Sequence, residues 1–255
     1  MSKENFFLNK YVLVTGASSG IGFQVAKDFL KLGAKVSAHY NENSSGIKKL
    51  FKYSIKDNCK IIQADLSNTE DIKQLWREHI NWSHNKIDFL VNNAGYSRSV
   101  EFEKLNEIEW DKAMAVNVKA PFLLAKFAMK IMLKKKFGRI INVSSGGWLY
   151  GGGAQTVHYS TSKGALEALT KALAKIGSKH QVLVNTIRPG ATNTSFQFAA
   201  FGDEFTYDYP LSSSISFVHI PTTDNSDNEG TGGRKKIKAL KRRSIFNLYS
   251  TFINY

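Results

Sequence analysis

The stretch Tyr11-Val-Leu-Val-Thr-Gly-Ala-Ser-Ser-Gly-Ile-Gly22 decides the fold. Its first four residues, Tyr11 to Val14, are apolar or aromatic and read as a buried strand. A glycine-rich turn follows, and beyond it Ile21, Val25, Phe29 and Leu32 recur at helical spacing, with Gly33 where a helix C-cap belongs. Glycines permit a tight turn and a close approach of backbone to a pyrophosphate. A helix that starts there aims its N-terminal amides and the positive end of its dipole at the phosphates. The spacing is G-x-x-x-G-x-G rather than G-x-G-x-x-G, and glycines alone would mark only a plain turn. The strand before and the helix after point to nucleotide binding.

Outward from this unit the grammar repeats. Lys35–Tyr40, Lys60–Ala64, Ile87–Asn92, Arg139–Val143 and Val182–Ile187 read as further strands, and helical patterns occupy roughly 69–82, 106–134 and 158–178. Six βα units predict an α/β fold, a Rossmann-like doubly wound parallel sheet of six strands in the order 3-2-1-4-5-6 with helices on both faces. The pattern stops near residue 195. A Ser/Thr/Asp/Asn-rich stretch follows, then Arg234–Arg243 with seven basic residues and no acidic one. The expected organisation is a nucleotide-binding and catalytic domain over 1–196 and an atypical lid and basic tail over 197–255. That tail is either a genuine variant ending, a disordered segment or one read in a shifted frame, and without a last strand it would leave strand six with an open edge.

The chain has 255 residues, 42% of them hydrophobic, and only four prolines. That composition excludes a disordered or collagen-like chain. No apolar run reaches transmembrane length, so no membrane partner is expected. The start carries no secretory pattern, and the single Cys59 allows no intrachain disulfide, so a cytoplasmic location is expected. The net charge of +14 comes mostly from lysines scattered at helix-like spacing, which read as a solvated surface rather than a nucleic-acid footprint. No metal-ligand spacing occurs.

The chemistry-bearing pair is Tyr159-Ser-Thr-Ser-Lys163. Residues four apart share a helix face, and a lysine charge there lowers a neighbouring phenol toward a useful pKa. A bare Y-x-x-x-K is usually an ordinary surface pair. Here Ser144-Ser145 ends the fifth strand just before that helix, at the sheet edge where ligands bind. Asn92-Asn93-Ala94-Gly95 closes the fourth strand with small residues against which a cofactor can lie, or forms a simple turn. Asp65, followed by Leu66, either accepts from an adenine amino group or caps the next helix. Trp148, Leu149 and Tyr150, with Tyr96, read as a substrate-pocket wall or as core packing. His158, with no acidic or metal-ligating cluster beside it, reads as non-catalytic.

Taken together, TGASSGIG, NNAG, Asn117 in VNVKAPF, INVSS, YSTSK and RPGATNT resemble the short-chain dehydrogenases/reductases over about residues 8–196. The resemblance implies metal-free hydride transfer between a nicotinamide cofactor and a carbonyl or secondary alcohol. It assigns Gly16, Ser18, Gly20, Ile21 and Gly22 to the phosphate turn, Asp65 with Leu66 to the adenine, and Asn93, Ala94 and Gly95 to the turn after strand four. It places Ser145, Tyr159 and Lys163 in the catalytic triad, with Ser144 a substitute for Ser145. Asn117 would hold a relay water near the lysine, which also contacts the ribose. Pro189, Gly190, Thr192 and Thr194 would cover the nicotinamide. Strand two ends in Tyr40 rather than a carboxylate, with Asn41, Asn43 and Ser44 able to donate to a 2′-phosphate. NADP(H) is therefore favoured, with NAD(H) the alternative should Glu42 take the acidic role; Ser19, where many NADP-using relatives carry Arg or Lys, also counts for NAD(H). Helices 106–134 and 158–178 are longer than a sheet face requires, and such helices pair in relatives, so a homo-oligomer is expected. The competing reading is a catalytically impaired nucleotide-binding protein with a basic interaction tail.

Overall fold

The computed structural model describes residues 6–55, 57–189 and 215–218. Six parallel strands, β1 (Tyr11–Val14), β2 (Lys35–Tyr40), β3 (Cys59–Gln63), β4 (Phe89–Asn92), β5 (Gly138–Val143) and β6 (Val182–Pro189), stand in the order β3-β2-β1-β4-β5-β6. This is the expected topology, with ends one or two residues from those expected. Alternation along each strand splits the core. Val12 and Val14 face one side with Val36, Val91 and Ile141, under Phe29 and Leu30 of helix α1 (Gly20–Lys31). Leu13, Leu90 and Ile140 face the other, against Leu75 of α2 (Thr69–Trp82), Leu124 and Met132 of α3 (Ala120–Lys135) and Leu173 of α4 (Val157–Ser178).

Two features depart from the sequence reading. A seventh strand, β7 (Ile215–Val218), lies antiparallel to β6, pairing Thr186 with Val218 through Pro189 with Ile215. The edge of β6 is therefore covered over those residues rather than open. Four residues inside a polar stretch are too short a run to announce a strand, and only the register with β6 supplies the partner. The rest of the 197–255 segment lies outside the described residues.

The single helix expected over 106–134 is instead Glu107–Met114 and α3 joined by a π-helical turn, Ala115–Lys119. Pro121, at the start of α3, lacks the N–H that would close an α-helical bond onto the carbonyl of Asn117. Widening the turn at that point accommodates the missing donor, and such turns recur at functional sites.

Candidate active site

The phosphate turn links β1 to α1 at the carboxyl edge of the sheet. Gly16 and Gly20 adopt the left-handed conformation, with φ of 63° and 54°. A Cβ on Gly22 would stand 2.2 Å from the Gly16 carbonyl oxygen and 2.3 Å from Asn93 Nδ2, so only glycine fits there. Asn93 holds the turn from β4: its Nδ2 donates to the carbonyls of Thr15 and Gly16, both at 3.0 Å. The backbone N–H groups of Asn93 and Ala94 donate in turn to Thr15 Oγ1, each at 3.0 Å. The turn has a second support that the sequence reading missed. His39, buried at the end of β2, accepts from the Gly16 N–H at Nδ1 (3.1 Å), and its Nε2 meets the Ala64 carbonyl (3.0 Å). Burial holds this imidazole neutral, its pKa lowered to about 4, which fixes Nδ1 as acceptor and Nε2 as donor. A lone histidine in a strand gives no sign of such a bridge, because both partners come from other strands' ends.

Asp65 does not cap the helix after β3. Asn68 does, accepting from Glu70 N and Asp71 N, while Asp65 Oδ1 closes a local turn by accepting from Ser67 N at 2.9 Å. At the end of β2, Tyr40 is half-buried and Asn41 and Glu42 are exposed. Asn43 is committed to the first turn of the helix Ser44–Lys48, where it accepts from Gly46 N at 2.8 Å.

Further along the same carboxyl edge, Tyr159 and Lys163 sit on one buried face of α4 beside the end of β5. Ser145 hydrogen-bonds the Tyr159 phenol and accepts from Gly147 N at 3.2 Å. The Ser144 hydroxyl is buried and has no hydrogen-bond partner among the described residues. The Lys163 ammonium lies 5.5 Å from the centre of the Tyr159 ring and donates to the Val143 carbonyl at 2.8 Å. The expected depression of the phenol by the lysine is not what this arrangement gives. Burial pushes Tyr159 up to about 12, and only the Ser145 bond pulls it back. Burial brings Lys163 down to about 8 against the opposing pull of Glu167. Desolvation outweighs the charge because the lysine spends its nearest bond on a backbone carbonyl.

Asn117 lies in the π turn, wholly buried. Its side chain is saturated: Oδ1 accepts from Tyr96 N, and Nδ2 donates to the Tyr96 carbonyl and to Ser162 Oγ, at 2.8, 2.8 and 2.9 Å. Ser162 Oγ passes the contact on to the Tyr159 carbonyl at 2.7 Å. What Asn117 can still offer a water is its carbonyl, deprived of an α-helical donor by Pro121.

The rim of the site joins two loops. Ser99 Oγ donates to Gln155 Oε1 at 2.8 Å and Val100 N to the Gln155 carbonyl at 3.0 Å, tying the segment after β4 to the loop before Tyr159. Leu149 and Tyr150 are exposed beside it, and Tyr96 hydrogen-bonds Glu109. Of the residues expected to cover the nicotinamide, Pro189 ends β6; Gly190, Thr192 and Thr194 lie outside the described residues.

A model of the family described as short chain dehydrogenase matches residues 10–204. The chain belongs to this family. An uncharacterized oxidoreductase of Thermotoga maritima is 39% identical over 190 residues, 74% of each chain. A 3-oxoacyl-[acyl-carrier-protein] reductase of Rickettsia prowazekii is 36% identical over 181 residues, 71% of this chain and 72% of that one. Among solved structures, 4-hydroxyisoleucine dehydrogenase complexed with NADH superposes with a TM-score of 0.69 at 31% identity, covering 77% of this chain and 79% of that one.

This short-chain dehydrogenase is accordingly an oxidoreductase of the CH–OH/C=O class that uses a nicotinamide cofactor. The residues present fit that cofactor: the turn at Gly16–Gly22 presents bare backbone at the N-terminus of α1, flanked by Asn93 and Ala94. Among the described residues no helix is long and apolar enough to cross a membrane.

Proposed function

We propose that the chain reduces a carbonyl to a secondary alcohol, with NADP(H) as the preferred cofactor and Ser145, Tyr159, Lys163 and Asn117 as the catalytic group. The observation that carries this reading is the Ser145–Tyr159 hydrogen bond at the carboxyl end of β5, with Lys163 one helical turn along. When bound, the nicotinamide supplies the hydride. The turn at Gly16, Ser18, Gly20, Ile21 and Gly22 would hold its pyrophosphate, Asp65 and Leu66 its adenine side, Asn93, Ala94 and Gly95 the middle, and Pro189 the nicotinamide side.

The chain's own residues do the rest. The Ser145 hydroxyl holds the substrate oxygen. Tyr159, still protonated at neutral pH because burial raises it, has a proton to donate to that oxygen. Lys163, its ammonium turned toward the tyrosine ring, would contact the ribose and stabilises the phenolate left behind. The Asn117 carbonyl positions a water through which the proton is replaced.

The absence of a carboxylate at Tyr40 and the exposed amide of Asn41 support the phosphorylated cofactor. A homo-oligomer accounts for the apolar groove lined by Ile108, Met114, Val118, Phe122 and Leu169. Acetoacetyl-CoA is a suitable first substrate, since a relative acting on this thioester, the acetoacetyl-CoA reductase of an Acinetobacter strain, is 34% identical over 188 residues. The test measures loss of reduced-cofactor absorbance with NADPH and with NADH over a panel of carbonyls that includes this thioester. Turnover with a higher kcat/KM for NADPH is expected. Tight cofactor binding with no turnover on any member would sink the catalytic reading, and a clear NADH preference would hand the acidic role to Glu42.

A further inference from the structure

Tyr159, Lys163 and Glu167 follow one another at four-residue intervals on α4, and all three are buried. Glu167 is the member without a role in the proton path. A carboxylate so buried is costly unless fully partnered. It is partnered: Arg188 donates to it through Nε at 2.7 Å and a second nitrogen at 2.9 Å, and Thr186 Oγ1 adds a bond at 3.3 Å. The Arg188 guanidinium also lies over the Trp148 ring, 5.1 Å from its centre. One carboxylate therefore touches the end of β6 and, through Arg188, the loop that follows Ser145, while standing one turn below the lysine.

We propose that Glu167 is a positioning residue of the catalytic site: its carboxylate keeps Lys163 charged from below while its two-toothed bond to Arg188 fixes the end of β6 and the Trp148 loop around that lysine. The geometry explains why a carboxylate stands here rather than the apolar residue a helix–sheet contact would ordinarily take. Two cations flank it, so the group of Lys163, Glu167 and Arg188 carries one net positive charge instead of two. Lys163 meets few other charges. On its own helix it faces the neutral Tyr159 phenol and Glu167. β5 offers only the Val143 carbonyl, and β6 offers Arg188, which is spent on Glu167. The π turn brings the neutral Asn117 into the α4 contact, and Glu109 of the preceding helix acts on His158, not on the lysine. With burial already bringing Lys163 down to about 8, Glu167 is the one opposing charge acting on it among the described residues.

The proposal rests on the assignment of Lys163 to cofactor and proton path, and the test separates the two. NADPH affinity is measured by fluorescence from pH 6 to 10 for the wild type and for Glu167→Gln, which keeps the shape and one of the two Arg188 bonds but loses the charge. Thermal melting of each is recorded beside it. The wild type should lose affinity as Lys163 deprotonates near pH 8, and Glu167→Gln should move that midpoint down by about one pH unit. Glu167→Asp should restore it. Should the single exchange fail to fold with Arg188 unbalanced, the paired exchange Glu167→Gln with Arg188→Gln removes both charges together, and a smaller downward shift is expected, because the repulsion from Arg188 goes with the attraction from Glu167. A lowered melting temperature with an unmoved midpoint, in whichever variant folds, overturns the proposal and leaves Glu167 a packing residue. A wild type that binds NADPH with no pH dependence at all overturns the assignment of Lys163, and the proposal falls with it.

Discussion

Around β1 and β4 the working surface is backbone, and neutral groups hold it: the Asn93 amide, the Thr15 hydroxyl and the His39 imidazole all bond the phosphate turn without a formal charge. Around β5, β6 and α4 the working groups are side chains, and buried charges hold them: Lys163 on the Val143 carbonyl, Glu167 on Arg188. A turn that must accept a doubly negative pyrophosphate gains nothing from a carboxylate nearby and keeps its own amides available by using neutral acceptors. A site that must shift a proton needs groups whose charge responds to their surroundings, and burial makes that response large.

The largest effect that separates the two regions is Tyr159→Phe. It removes one hydroxyl from the charged half and should lower turnover by about 10²- to 10⁴-fold while cofactor affinity, set in the neutral half, stays within a few-fold. Single-turnover and binding titrations on the same preparation check this. A variant keeping more than about a tenth of the rate would mean the proton comes from elsewhere.

Acid should break the neutral half first. His39 and His79 are both buried, with pKa values lowered to about 4 from an ordinary 6.5. The unfolded chain therefore binds protons at these positions before the folded chain does. Stability is intact above about pH 6.5 and is lost as pH falls toward 4, by roughly 3 kcal/mol for each histidine. Urea unfolding from pH 7 to 4 reads this loss, and replacing His39 by Gln should remove its share of the slope. A flat profile would show that the imidazoles take up protons at the same pH in the folded and unfolded chains.

Gly22→Ala comes next. Its Cβ would press on the Gly16 carbonyl and the Asn93 amide, so the exchange should cost about 1–3 kcal/mol of stability and weaken cofactor binding, with the rate at saturating cofactor little changed. The smallest contrast is between the two serines. Ser145→Ala should reduce turnover strongly. Ser144→Ala, which removes a buried hydroxyl that has no hydrogen-bond partner among the described residues, should change stability by less than about 1 kcal/mol and leave turnover near normal. Equal kinetic losses in both would mean that either hydroxyl can serve the substrate.

The fold was readable because Val12, Leu13 and Val14 and their counterparts on five other strands carry their pattern locally. The glycine turn was readable because its meaning lies in twelve consecutive residues. The π turn was not, since one extra residue in a helical ladder leaves the apolar spacing of 106–134 almost unchanged; Pro121 was the available sign. The pairs that hold the site were also hidden: Glu167 and Arg188 are 21 residues apart, His39 and Gly16 are 23 apart, and neither pair shares an element. Asp65 was ambiguous because a carboxylate after a strand suits a cap as well as a ligand, and the cap went to Asn68, three residues on. The phenol's pKa was misread for a different reason: sequence places the lysine four residues away but says nothing of how dry the space between them is.

The bond from Ser99 and Val100 to Gln155 bears on how such a chain can be altered. The two loops belong to different strands and are separated by more than fifty residues of sequence, yet each is shaped against the other. A designer who transplants the segment at 96–100 from a relative in order to change what the enzyme accepts, but keeps the native 151–156, inherits a mismatched seam four residues before Tyr159. The unit of exchange at this rim is the pair of loops, and libraries that vary both at once should yield more folded, active members than libraries of equal size that vary either one.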